Sequence, residues 1–267
     1  MKKLYASLAL AGLVTVPSLA AAADSPHSFS GNVSLTSNYV FRGISQTGGD
    51  PAIQGGLDYS HSSGFYLGTW ASNVGWIEDF QGYDKGNMEI DLYGGYRGSF
   101  DKAGISYDLG IIGYFYPGDK APTIPNADTT EVYAALGWKW FTVKYSYVVS
   151  DGAFGFGKPL GSKDATGSDY WDISASLPIG ETGLTAGAHW GTFSFDNYPD
   201  QDYDDWKVSL TYDMGKASKL MEGVTVGVAY SDTNARKTAG PNGGSWTDLN
   251  GKYLGESTTY FWISKAL

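Results

Sequence analysis

The sequence predicts an all-β protein: a transmembrane antiparallel β-barrel of about 12 strands with short periplasmic turns and long extracellular loops. Three observations predict it. Residues 86–98, Gly-Asn-Met-Glu-Ile-Asp-Leu-Tyr-Gly-Gly-Tyr-Arg-Gly, put Met88, Ile90, Leu92 and Tyr96 on one side of a strand and Asn87, Glu89, Asp91 and Arg97 on the other, because side chains alternate faces along a strand. The alternation recurs down the chain behind an export signal. The links between the alternating segments are by turns long and short.

The export signal comes first. Met1-Lys2-Lys3 is a basic n-region, Leu4 to Val16 is apolar and uncharged, Pro17-Ser18 breaks it, and Ala20 to Ala23 supply small residues for signal peptidase. This pattern predicts a secretory signal peptide over 1–22, cleaved after Ala22 or Ala23, and a barrel over 23–267. The apolar run is shorter than the ~20 residues of a helical span. No later segment reaches that length, so a membrane protein made from this chain crosses by strands.

The expected strands are 32–42, 52–60, 65–74, 87–97, 105–116, 130–138, 141–150, 169–178, 183–193, 205–214, 223–232 and 257–267. In the first half, the lipid-facing sets include Val33, Leu35, Tyr39, Phe41; Ile53, Leu57, Tyr59; Leu109, Ile111, Phe115; and Val132, Ala134, Leu136, Trp138. In the second half they include Phe141, Val143, Tyr145, Tyr147, Val149; Trp171, Ile173, Ala175, Leu177; Leu184, Ala186, Ala188, Trp190; Trp206, Val208, Leu210, Tyr212; Val224, Val226, Val228, Tyr230; and Phe261, Ile263, Leu267. In the third strand Phe65, Leu67 and Ala71 compete with Tyr66, Trp70 and Val74, and the first set is taken as outward. Lys265 is the one charge on these faces, near a strand end where a lysine reaches the interface.

The links 43–51, 75–86, 117–129, 151–168, 194–204 and 233–256 are long, and 61–64, 98–104, 139–140, 179–182 and 215–222 are short. Outer-membrane barrels have this asymmetry and an even strand number. Aromatics gather in two girdles, Tyr59, Phe65, Tyr96, Tyr107, Trp138, Phe141 and Tyr212 at the periplasmic edge, and Tyr39, Phe41, Phe115, Trp171, Trp190, Trp206 and Tyr230 at the outer edge. Such rings suit membrane interfaces. Tyr260 to Leu267 form a last strand expected to pair with the first and leave no edge.

Composition narrows the function. There is no cysteine, which excludes disulfides, thiolate metal sites and cysteine nucleophiles. The formal charge is −10; without Lys2 and Lys3, 16 basic residues face 28 acidic ones, which argues against nucleic acid as a partner. Mean hydropathy is −0.24, as a barrel allows when only alternate residues face lipid.

Ser34-Leu-Thr-Ser-Asn-Tyr-Val-Phe-Arg-Gly-Ile-Ser-Gln-Thr47 resembles the opening of the TorF family of porins. Pro51 to Tyr59, Gly64 to Val74 and Glu89 to Tyr96 continue the likeness. The resemblance implies a Gram-negative outer-membrane barrel with pore activity and supplies no substrate. The last residue is Leu267, where many such barrels end in phenylalanine.

Alternation directs Arg42, Asp58, Glu89, Asp91, Arg97, Asp108, Glu131, Lys144, Asp172, Lys207 and Asp213 into the lumen, seven acids and four bases. Acid in excess favours cations in a water-filled pore. Inward Tyr66, Trp70, Tyr93, Tyr114, Tyr133 and Tyr170 are candidates to narrow it. Arg42 either lines a constriction or pairs with an acid in the wall. Asp196, Asp200, Asp202, Asp204 and Asp205 have calcium-loop spacing, but Asp205 stands where that loop needs glycine and Thr211 where it needs glutamate. His27 falls in an amino-terminal tail, His61 in a turn and His189 in the lumen. No nucleophile elbow, dinucleotide fingerprint or phosphate loop accompanies them.

These features imply an outer-membrane porin passing small hydrophilic solutes, mildly cation-preferring, with no catalytic residue and no cofactor or metal. Its surroundings would be outer-membrane lipid and lipopolysaccharide. The alternatives are a closed barrel acting as an adhesin or envelope scaffold through its loops, and an outer-membrane hydrolase built on His189.

Overall fold

Alternating strands close into a barrel in the computed structural model, which describes residues 25–100, 103–158, 163–239 and 245–267. The expected signal peptide lies outside the described residues. The barrel strands are β1 (His27–Thr36), β4 (Ala52–His61), β5 (Phe65–Asn73), β6 (Met88–Phe100), β7 (Ile105–Phe115), β8 (Thr129–Trp138) and β9 (Phe141–Val148), then β10 (Asp169–Pro178), β11 (Leu184–Ser194), β12 (Tyr203–Asp213), β13 (Val224–Thr233) and β14 (Thr258–Ala266). Two short strands, β2 (Val40–Phe41) and β3 (Ile44–Ser45), make a separate hairpin. Chain neighbours pair antiparallel around the closed sheet of 12 strands. β14 closes it on β1, in register from Thr36 opposite Trp262 to Asn32 opposite Ala266, and the Leu267 N–H donates to Gly31.

The outward face is apolar because each strand gives its alternate branched and aromatic residues to it. Leu35, Ile53, Leu57, Leu67, Leu92, Leu109, Leu136, Ile173, Val208 and Phe261 are all exposed. In the third strand Phe65 and Leu67 point out and Tyr66 is buried inside, as expected. Outward rings meet at both ends, Phe65 with Tyr96 and Phe29 with Tyr59 at one, Trp206 with Tyr230 and Tyr145 with Trp171 at the other. Lys265 reaches past its strand end to the carbonyl of Glu222. No helix among the described residues is long and apolar enough to cross a membrane.

The first strand departs from expectation. It runs from His27 to Thr36, not from 32 to 42. His27 is thus a strand residue, its ring bonded to the Tyr59 hydroxyl at 2.8 Å. After Thr36 the chain turns into the barrel. Asn38 Oδ1 accepts from Ser45 Oγ at 2.7 Å and Thr47 Oγ1 at 3.3 Å, and the Gln46 N–H donates to Tyr39 O at 2.7 Å. Tyr39 is therefore 6% exposed inside the barrel, and Phe41 packs against Tyr114 and Phe154. Neither faces lipid. The hairpin tip is Arg42-Gly43, with φ of 45° and 77°, the pair of positive values that a two-residue hairpin turn requires. A Cβ on Gly43 would lie 2.5 Å from the Cβ of Asp205, so glycine lets the tip approach β12.

The link pattern also needs one correction. Links 37–51, 74–87, 116–128, 149–168, 195–202 and 234–257 gather at one end, the loop end, and 62–64, 101–104, 139–140, 179–183 and 214–223 at the turn end. Since β12 starts at Tyr203, link 195–202 is shorter than its turn-end neighbour 214–223. The loops fold inward. Tyr39, Ile44, Trp76, Tyr116, Phe154, Phe193, Tyr203, Trp246 and Leu254 belong to one buried cluster that crosses the loop end of the lumen.

Candidate functional site: the barrel lumen

Inward side chains differ from wall to wall. On β5 to β8 they include Tyr66, Tyr114 and Tyr133, all buried. The rings of Tyr93, Tyr133 and Tyr170 span to a neighbouring strand, and glycine makes room: a Cβ on Gly68 would meet the ring of Tyr93, one on Gly110 that of Tyr133 and one on Gly191 that of Tyr170. From β10 to β13 the inward residues are smaller. Ser174, Thr185, Gly187, Ser209, Thr211, Thr225 and Gly227 are half-buried, and Ser176 is exposed. Water reaches the interior along this wall, up to the apolar cluster at the loop end.

Arg42 is carried inward on the hairpin. Glu89, Asp91, Asp108 and Glu131 are buried, Asp58, Arg97, Lys144, Asp172 and Lys207 are half-buried, and Asp213 is exposed at the turn end. Burial of a carboxylate demands donors. Asp58 accepts from Tyr93 at 2.7 Å, Glu89 from Tyr39 at 2.9 Å and Asp108 from Tyr66 at 2.6 Å. Tyr66 and Tyr133 also join hydroxyl to hydroxyl. Arg42 grips Glu131 with two nitrogens, at 2.7 and 2.8 Å. Its guanidinium also lies 4.2 Å from the Tyr170 ring centroid and 4.9 Å from those of Phe41 and Phe193. Of the two roles open to it, Arg42 takes the pairing one. Oδ1 of Asp91 is buried with no hydrogen-bond partner among the described residues.

A second polar group lies on β10 to β12. His189 Nδ1 is 2.9 Å from Asp172 and Nε2 is 3.0 Å from Asp205. Tyr170 donates to Asp205 at 2.8 Å and Ser174 to Asp172 at 2.5 Å. Ser174 Oγ is also 3.3 Å from His189 Nδ1, but its proton goes to Asp172, so the imidazole does not activate it as a nucleophile. Asp205, which the sequence groups with the loop aspartates, is a lumen residue; its parity with Lys207 and Ser209 on β12 is the signal for this.

Those loop aspartates serve separate partners. Asp200 pairs with Arg236 at 3.3 Å, Asp202 accepts from the Phe195 N–H at 2.7 Å, and Asp204 accepts from Asn234 Nδ2 at 3.2 Å. Burial raises the pKa of the Asp202 carboxyl, the Phe195 N–H lowers it and Asp200 raises it, with a net rise. Among the described residues no group of three or more His, Cys, Asp or Glu is placed to hold a metal ion.

An all-antiparallel barrel with an apolar exterior and a hydrogen-bonded polar interior defines the membrane β-barrel class. Residues 20–267 match the family described as "Bacterial protein of unknown function (Gcw_chp)", and the chain belongs to that family. No curated protein matches it in sequence. Among solved structures, the NanC porin is similar at a TM-score of 0.51 and 13% identity, over 88% of this chain and 98% of that one. The KdgM porin gives 0.49 and 8%, over 89% and 98%. Pseudomonas aeruginosa OccK8 (OprE) gives 0.41 and 11%, over 92% and 68%. At such identities the likeness to NanC establishes the fold.

Proposed function

We propose that this protein is an outer-membrane pore for the passive diffusion of small hydrophilic solutes. The observation that supports it is the half-buried Ser, Thr and Gly lining of β10 to β13, a polar strip inside a lipid-facing shell. The fold shared with the NanC porin is in keeping with this. Function in such a pore lies in radius and wall charge, and no step needs a catalytic residue or cofactor. The loop-end cluster limits the aperture, so only small solutes pass. With Asp205 joining the seven acids that alternation places inward, eight inward acids against four bases add a mild preference for small inorganic cations.

Swelling of proteoliposomes in neutral polyols of rising size tests the reading. Swelling with erythritol that falls away for raffinose is expected. Swelling no faster than that of empty liposomes would reject the pore. A second reading, a closed barrel acting through its loops as an adhesin or envelope scaffold, is favoured by the apolar cluster at the loop end. It predicts no swelling with any polyol.

A further inference from the structure

The turn-end rim holds a pair of histidines that the lumen does not use. β1 pairs with β14 only from Asn32 to Thr36, with one further bond from the Leu267 N–H to Gly31. Among the described residues, His27 to Ser30 therefore pair with β4 alone, as an overhang. At its tip His27 stands directly across from His61, and directly opposed residues have Cβ atoms about 5 Å apart. The two share the parity of Phe29 and Leu57, which face out. His27 is exposed and His61 half-buried, so water at the rim reaches the pair.

Each ring has one nitrogen engaged. His27 Nδ1 lies 2.8 Å from the Tyr59 hydroxyl, and His61 Nδ1 lies 2.7 Å from the Ser63 hydroxyl and 3.2 Å from the Ser63 N–H. Neither Nε2 is hydrogen-bonded to a described residue. A metal-ligating histidine binds through one nitrogen while the other donates to an oxygen that fixes the ring, and the Tyr59 and Ser63 hydroxyls stand in that position. The ring centroids are 5.2 Å apart with the planes at 55°. With Zn–N bonds of about 2.0–2.1 Å, and about 1.1 Å from nitrogen to ring centre, two imidazoles on one tetrahedral ion have centres about 5 Å apart. No third histidine or carboxylate among the described residues completes the set, so water fills the other positions. Imidazole ligands suit zinc, nickel and copper, whereas magnesium and calcium take oxygen.

We propose that His27 and His61 bind one divalent transition-metal ion through Nε2 of each ring, and that the ion clips the overhanging end of β1 to β4. The site lies outside the lumen, so it stands or falls apart from the pore reading. Calorimetric titration of Zn2+ into the refolded chain in detergent, carrying no histidine tag, tests it, with Mg2+ as control. Saturable binding of one Zn2+ per chain and none of Mg2+ is expected. His27→Gln and His61→Gln should each weaken Zn2+ at least tenfold. The chain has three histidines, and His189→Gln, in the lumen, should change the affinity less than twofold. Wild-type affinity in a folded His27→Gln or His61→Gln variant would overturn the site, as would loss of binding in a folded His189→Gln variant. Should a variant not fold, the imidazole NMR signals of the wild type decide. Two of the three shifting together as Zn2+ is added is expected, and one or none shifting would overturn the pair.

Discussion

Arg42 ties the inner hairpin to the barrel wall through Glu131, which is 1% exposed. Truncating it to alanine leaves a buried carboxylate without its cation, at a cost of about 3–5 kcal/mol. Urea titration of the refolded protein, read by heat-modifiable migration, should show that loss. Arg42→Ala combined with Glu131→Ala should recover part of it, since the pair is then absent rather than broken. The sequence marked Arg42 as a residue that lines or pairs, and alternation placed Glu131 inside. That the two meet was not legible, because it depends on a chain reversal at Asn38 and on the hairpin reaching β8 across the lumen. Gly43 after Phe-Arg carried the local signal for the turn. Partners were also beyond reach: a count of seven acids and four bases says nothing of which are already hydrogen-bonded.

At the scale of the strand, neighbouring residues should answer differently to the same substitution. Leu210 faces out and is 41% exposed, so Leu210→Arg puts a charge into lipid, at about 2–4 kcal/mol near the midplane. Ser209 faces the water-reached wall. Ser209→Arg should leave the urea midpoint near that of the wild type and slow polyol entry. Equal destabilisation by the two would contradict the assigned faces. Gly191→Ala should force the Tyr170 ring off Asp205 and His189, costing about 1–3 kcal/mol as overpacking does and lowering the same urea midpoint. Most strands were legible to within two residues, because lipid demands an apolar residue at every second position. β1 was misplaced since Tyr39, Val40 and Phe41 continue the apolar pattern in sequence while burying it inside the barrel.

For the whole molecule, closure follows from the sequence: an even set of alternating strands whose last member seals the first. The filling of the loop end was not readable. Phe154 and Trp246 belong to long links, where an isolated aromatic gives no sign of direction, and their burial comes from contacts with Phe193 and Tyr203 far along the chain. This cluster sets the size limit in the account, so shortening the hairpin by removing 40–45 should raise conductance. The most direct test of a polar path through the barrel is single-channel recording of refolded residues 23–267 in a planar bilayer under a salt gradient. Small, discrete, stable steps with a reversal potential of cation sign are predicted. Silence from a protein shown to be folded by its β-sheet spectrum and heat-modifiable migration would contradict the account and leave the barrel closed.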